Sequence, residues 1–314
     1  MSAVVNVAIP VFAIILAGYL AGRLRILGDA ASEALNRFVY FFALPPVVFL
    51  GMARRPLVEI LNWPFIGAFL GAMLAVYAMA WAIGFLLHRE RPAVLSMQAL
   101  NACFANTGYM GIPLFLAAFG EAGLAPAILA TVIMSAVMVG LAVVVLELVQ
   151  SAGNGPGRAL LDVGRALLRN PLVMATVAGM AWSVAGLAVP VPVDNLGSLL
   201  GASAGPCALF AIGLFLAGRP LAADLAEIGW IVALKLLWQP LLTWWLAFRV
   251  LPLDPYWAAS AVILAGLPTG ALTFVVAQQY RVYVERTSAA ILASTVVSVV
   301  TLSALLATYA HLTP

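Results

Sequence analysis

Charge is what this sequence has least of. Only 9% of its 314 residues are Asp, Glu, Lys or Arg, against 65% hydrophobic, whereas soluble domains carry roughly a quarter charged residues. With a mean hydropathy of +1.10, a soluble globular fold is excluded and an all-α polytopic membrane protein is indicated. Histidine and cysteine are nearly missing. His88 and His311 sit at the edges of apolar segments and form no metal-binding pair, and neither a Ser/His/Asp set nor a haem-ligand arrangement is visible. No enzyme, metal or cofactor is therefore expected. Cys103 and Cys207 lie inside apolar segments, which predicts buried thiols and no disulfide framework. The lack of a phosphate-binding P-loop excludes direct coupling to ATP hydrolysis within the chain. The net charge of +3 is carried by arginines spread over short loops, which makes no nucleic-acid surface. No basic residue precedes the first apolar stretch, Val4 to Ala21, and no cleavage pattern follows it, so it reads as a spanning helix and not as a removable leader.

What is there is a series of long apolar runs. A spanning helix needs about 20 mostly apolar residues, and the runs between polar breaks give ten spans: 3–22, 34–53, 64–87, 95–119, 126–149, 171–189, 196–217, 227–250, 256–279 and 288–311. If they alternate, one side collects Arg23, Arg25, Arg37, Arg89, Arg91, Arg158, Arg165, Arg169, Arg219, Arg281 and Arg286, and the other only Arg54, Arg55 and Arg249. This bias makes the basic side cytoplasmic and puts both termini outside. The longest connection, residues 150–170, is Gly-rich and then basic, and it reads as a linker between a first half at 1–149 and a second at 171–314. "AILAT" at 127–131 recurs as "AILAS" at 290–294, and "RPL" at 55–57 recurs at 219–221; Pro45 and Pro46 in the second span have a counterpart in Pro206 in the seventh. The repeats are spaced by about half the length. Because five spans is an odd number, the second half must be inverted, the architecture of many secondary transporters.

Two spans are interrupted at matching places. The fourth carries "NACFANTGYMGIP" at 101–113, with Asn101, Asn106, Thr107, Gly108, Gly111 and Pro113; the ninth carries "AGLPTGALTF" at 265–274, with Gly266, Pro268, Thr269 and Gly270. Such breaks in hydrocarbon need partners for the freed backbone groups, each of which costs several kcal/mol when left unpaired. A plain proline kink is the simpler reading, but it does not require Asn106, Thr107 and Gly108 alongside. Half-helices starting near the midplane would aim their N-terminal amides at the space between them, which favours an anion. The Asn amides and Thr hydroxyls can donate to it, and glycine lets backbone approach.

Acidic residues are missing where a cation exchanger would need them. Of twelve, only Glu147 and Glu227 lie within spans, both near the cytoplasmic end, so cation exchange is disfavoured. Lys235, the sole lysine, lies about 12 Å along the eighth span from Glu227. It can counter a substrate carboxylate, prop the crossing by bonding unwound carbonyls, or snorkel to the interface. Gln239 is one turn on, followed by Pro240; Gln98, entering the fourth span, is a weaker candidate. The tryptophans at 238–245, with Trp63, Trp230 and Trp257, read as packing and interface belt.

"PVFAIILAGYLAGRLRIL", "ALPPVVFL", "NTGYMGIPL", "KLLWQP" and "AGLPTGALTF" together resemble the auxin efflux carrier family in its bacterial branch, over the whole length. The resemblance implies ten helices in two inverted halves, related to sodium/proton antiporter-like and bile-acid-transporter-like folds, in the bacterial inner membrane. It further implies a scaffold of helices 1, 2, 6 and 7, a moving domain of the other six with helices 4 and 9 crossed, and room for a homodimer through the scaffold. Family substrates are organic anions. Family-like contacts map onto Asn106, Thr107, Gly108 and Pro113, and onto Pro268, Thr269 and Gly270. Gln239 stands where the family often has His, which puts a proton relay there in doubt. The expected function is export of a small carboxylate by elevator-type alternating access. A sodium-coupled carrier of larger amphipathic anions is the alternative within the class; an anion channel or an anion-binding sensor lies outside it.

Overall fold

The computed structural model describes residues 7–56, 61–138, 140–141, 145–146, 164–165, 168–218, 225–251, 253–309 and 311–312. Glu147, most of the 150–170 linker and the second Arg-Pro-Leu at 219–221 lie outside the described residues. Among the described residues every regular element is a helix: α1 Ile9–Arg23, α2 Ala30–Ala53, α3 Trp63–His88, α4 Pro92–Cys103, α5 Ile112–Phe119, α6 Leu124–Ile133, α7 Pro171–Val184, α8 Val191–Ala217, α9 Leu225–Val250, α10 Pro255–Ala265, α11 Leu272–Tyr280 and α12 Val284–Tyr309.

Among the described residues six stretches are long and apolar enough to cross a membrane: α2, α3, Thr107–Ile133, α8, α9 and α12. The stretch Thr107–Ile133 is not one rod. Phe119 and Gly120 leave helical backbone, Gly120 at φ +63 and ψ −151, and a β-carbon at Gly108 would meet the Thr131 side chain at 3.5 Å. The chain therefore folds back at Gly120, making α5 and α6 an antiparallel pair. Only a residue without a β-carbon takes that φ freely. Helix starts follow local chemistry. Asn62, Asn170 and Asp254 each accept from first-turn amides, and each is followed by proline at the first or second helical position, where its missing N–H costs nothing.

Interior prolines act differently. Val39–Ala43, Thr107–Gly111 and Leu234–Trp238 are all wide turns, and each ends two residues before a proline: Pro45, Pro113 and Pro240. A proline ring collides with the carbonyl four residues back, and the widened turn makes room for it.

Glycines draw the helices of one group together. A β-carbon at Gly213 of α8 would stand 2.6 Å from the Tyr19 nitrogen and 2.9 Å from the Gly18 Cα of α1. Gly22 meets Ala217 one turn on, and Gly179 of α7 packs on the Phe49 carbonyl of α2. Lipid supplies no hydrophobic drive between helices, so close backbone approach over small residues is what binds them. Thus α1, α2, α7 and α8 form one packed group, and the remaining helices hold the two breaks. Trp63, Trp238 and Trp245 are exposed, at 70%, 48% and 51%, while Trp230 and Trp257 pack against the core.

Candidate functional site

The two interruptions meet. Between α4 and α5 the chain runs extended through Phe104 and Ala105; between α10 and α11 it runs through Gly266 to Ala271, and Ala105 pairs antiparallel with Thr269. Asn106 N donates to the Pro268 carbonyl at 2.9 Å, and Gly270 N to the Phe104 carbonyl at 2.9 Å. These bonds exchange into one another when 104 is swapped with 268 and 106 with 270, both 164 residues apart, the same spacing that separates the two Arg-Pro-Leu copies. In hydrocarbon, backbone freed from a helix must find partners, and each break here supplies the other's. A β-carbon at Gly270 would stand 2.8 Å from the Phe104 ring, so glycine is what admits the close pass.

Four helix ends converge there, and the two C-terminal ones are capped by α9. Lys235 Nζ donates to the Ala265 carbonyl, last of α10, at 2.6 Å; Gln239 Nε2 donates to the Cys103 carbonyl, last of α4, at 2.9 Å. Both side chains are fully buried. Lys235 is thus enclosed at the crossing and bonded to the carbonyl that ends α10. Capping answers the partial negative charge at both C-terminal ends and leaves the positive N-terminal ends of α5 and α11 as the dominant field. An anion is what such a field attracts.

Hydrogen bonds lock the crossing from behind. Thr269 Oγ1 donates to the Asn101 carbonyl at 2.9 Å, Thr269 N to Ser294 Oγ at 3.0 Å, and Asn101 Nδ2 to Thr287 Oγ1 and the Met97 carbonyl, both at 2.9 Å. In this structure Asn101 and Thr269 thus spend their donors on the scaffold of the site. Asn106 (5% exposed) and Thr107 (2%) line the first break. Pro113 stands in the first turn of α5, beside Gly205 of α8, and Gly111 packs on Leu264 and Leu267. Gly266 caps α10, and Pro268 offers its carbonyl to the bridge. The half-buried positions at the crossing are Gly108 and Tyr109, in the wide turn that leads into α5, and Ala271 and Leu272, at the start of α11. The Met110 and Gly111 amides already donate to the Asn106 carbonyl, and the Thr273 amide to that of Gly270, so the amides ahead of them are the ones without a partner within their own helix.

Sequence reasoning missed Ser294, Thr287 and Tyr109. A signal for the first was at hand, because Ser294 closes the second copy of the repeated pentapeptide and Thr131 closes the first, and each lies against a break. Gln98 is not at the crossing. It donates to Glu227, which also accepts from Tyr283 and pairs with Arg286 at 2.7 Å, at the start of α9. Burial, then the bond to Glu227, holds the Tyr283 phenol above its ordinary pKa and so in its donor form. A groove of about 390 Å³ lies elsewhere, between α2, α7 and α8, lined by apolar residues such as Phe42, Pro46, Phe49 and Leu196.

The family described as "Membrane transport protein" matches residues 3–154 and 157–306. The chain is 36% identical over 306 residues to the "Putative malonate transporter" of Rhizobium meliloti, covering 98% of this chain and 96% of the relative. It is 28% identical over 299 residues to an "Uncharacterized transporter" of Methanothermobacter thermautotrophicus, covering 93% and 94%. A further "Uncharacterized transporter", from Escherichia coli, is 25% identical over 297 residues, covering 93% of each. With a family match across nearly the whole length, the chain belongs to the membrane transport protein family, that of the auxin efflux carriers, and is a multi-pass membrane transporter, not an enzyme.

Proposed function

We propose that this chain is a secondary transporter that moves a small carboxylate by alternating access. The observation that carries the reading is the doubly capped crossing, whose C-terminal ends are answered by Lys235 and Gln239 while the N-terminal ends of α5 and α11 stay free for an anion. The malonate in the name of the Rhizobium meliloti relative makes malonate the first acid to test. The site residues are Asn106, Thr107, Gly108 and Gly111 with Pro113 on one side and Pro268 with Gly270 on the other. Asn101, Thr269 and Gly266 hold the crossing, and Lys235 and Gln239 prop it.

The helices then form ten spans in two inverted halves, 1–149 and 171–314, with the linker 150–170 and the basic loops in the cytoplasm and both termini outside. The exchange symmetry of the Ala105–Thr269 bridge supports this arrangement. The glycine-packed α1, α2, α7 and α8 serve as scaffold, as the face for a homodimer, and as the surface against which the other helices shift in an elevator movement. Export is the favoured direction, since a monoanion leaving a negative-inside cell gains about 2.3 kcal/mol per 100 mV.

Purified protein in liposomes should move labelled malonate in a saturable way with counterflow, without added sodium. Asn106→Ala should cut that flux at least tenfold while its thermal unfolding stays near that of the parent. Malonate flux at the parental rate in Asn106→Ala would remove this residue from the site; the absence of any carboxylate flux from the parent would remove the reading.

A further inference from the structure

We infer that Tyr109 is a specificity-determining residue of the anion site, its phenol reserving a hydrogen bond for the carboxylate; this rests on the carboxylate-transport reading above. Four residues at the crossing are half-buried, and among Gly108, Tyr109, Ala271 and Leu272 only Tyr109 has a polar side chain. The other polar side chains of the crossing are buried, and those of Asn101, Thr269, Lys235 and Gln239 already donate to fixed partners. Tyr109 alone among these residues is both polar and only partly buried.

Its present partner is a weak one. Tyr109 Oη donates to the Asn36 carbonyl of α2 at 3.4 Å, well beyond the usual ~2.7–2.8 Å for such a bond. That carbonyl already accepts the Val39 amide where α2 opens into the wide turn Val39–Ala43. The hydroxyl is therefore held in the gap between the start of α5 and α2 by an acceptor with little to offer. A carboxylate oxygen in the same gap would be a stronger acceptor, since bonds to charged acceptors are shorter and roughly twice as strong. It would draw the phenol off Asn36 and onto itself.

The first-turn amides of α5 and α11 face one carboxylate of a small acid, and the Tyr109 phenol takes a second oxygen of the same molecule. Lys235 is fully buried behind the crossing and already donates to the Ala265 carbonyl, so it does not reach this gap. A neutral donor such as a phenol suits the single ionised carboxyl of a short diacid carried as its monoanion, sharing that group's two oxygens with the amides. An added arginine or lysine would be required to match a dianion.

The test compares malonate with malonamate, the half-amide that carries one charge at all relevant pH, in liposomes holding parent or Tyr109→Phe protein. Loss of one bond to a charged acceptor corresponds to roughly ten- to hundredfold weaker binding, so Tyr109→Phe should raise the KM for malonate by about that factor while the maximal rate changes less than threefold. The parent should carry malonamate with a KM within about threefold of that for malonate at low pH. An unchanged malonate KM in Tyr109→Phe overturns the role of Tyr109 while leaving the transport reading standing. Parental protein that moves no acid at all overturns both. To separate a folding defect, Tyr109→Phe should unfold within a few degrees of the parent; if it does not, Asn36→Ala, which keeps the backbone acceptor and the phenol, must retain the parental KM, and a raised KM there overturns the proposal.

Discussion

Lysine is an expensive residue to bury in a membrane, and at Lys235 the expense is met by one well-aimed bond. Its Nζ reaches the Ala265 carbonyl at 2.6 Å with the side chain wholly enclosed. Spacing along the sequence could place Lys235 and Gln239 on one face of a helix, but not say what faced them. The partners lie 30 residues and 136 residues away along the chain, which no local pattern encodes. Removing one member of a buried pair leaves the other's desolvation unanswered, at a cost of about 1–3 kcal/mol. Lys235→Met and Gln239→Leu should each lower the melting temperature in detergent by several degrees, and both should lower flux with little change in KM, because neither side chain reaches the half-accessible starts of α5 and α11. A large rise in KM with unchanged stability in Lys235→Met would place its side chain on the substrate instead.

Helices were the most legible part, since hydropathy and proline set where apolar runs start and stop. The two interruptions were legible for the same reason: Gly, Asn, Pro and Thr in mid-span have no place in a helix surrounded by hydrocarbon. Their joining was not legible, because an antiparallel bridge of one residue pair leaves no periodic trace. The reversal at Gly120 was legible too, since Gly120, Glu121 and Gly123 part the spans 95–119 and 126–149, where Phe119 and Gly120 do leave helical backbone. The lack of a local trace also hides why particular glycines matter. Gly22 and Gly213 look alike in sequence to Gly28, yet a β-carbon at Gly28 meets nothing within 4 Å while one at Gly213 collides with the backbone of α1. Gly213→Val should therefore force α1 and α8 apart and abolish a stable fold, seen as loss of monodisperse protein on size-exclusion chromatography, whereas Gly28→Ala should be nearly silent. Equal behaviour of the two variants would contradict the packing of this pair.

For the whole molecule, the level of the crossing against the scaffold is the informative quantity. Tyr109 meets Asn36 in the second turn of α2, and Gly108 lies near Leu172 in the first turn of α7, both at the ends assigned to the cytoplasm by arginine sorting. At the opposite end, Arg54 of the scaffold holds Asp194 at 2.6 Å, also on the scaffold, and Glu121, in the turn between α5 and α6, at 2.7 Å. Among the described residues this is the one ion pair joining the two helix groups. On the transport reading proposed above, such an arrangement corresponds to the inward position of an elevator, with the Arg54–Glu121 pair as the outer tie. The pair is half-exposed, so it is worth about 0.2–1 kcal/mol, too little to govern folding. A balanced two-state equilibrium is moved about one- to fivefold by that amount. In a Cys207→Ala background, a cysteine at Ala271 should react with an impermeant maleimide from outside about two- to fivefold faster once Glu121→Gln is added, with the melting temperature unchanged. Asp194→Asn, which breaks a bond within the scaffold, should have a smaller effect. Identical labelling rates with and without Glu121→Gln would mean that the tie does not close the outer side, and that the position of the crossing is set by the packing of α5 on α8 alone.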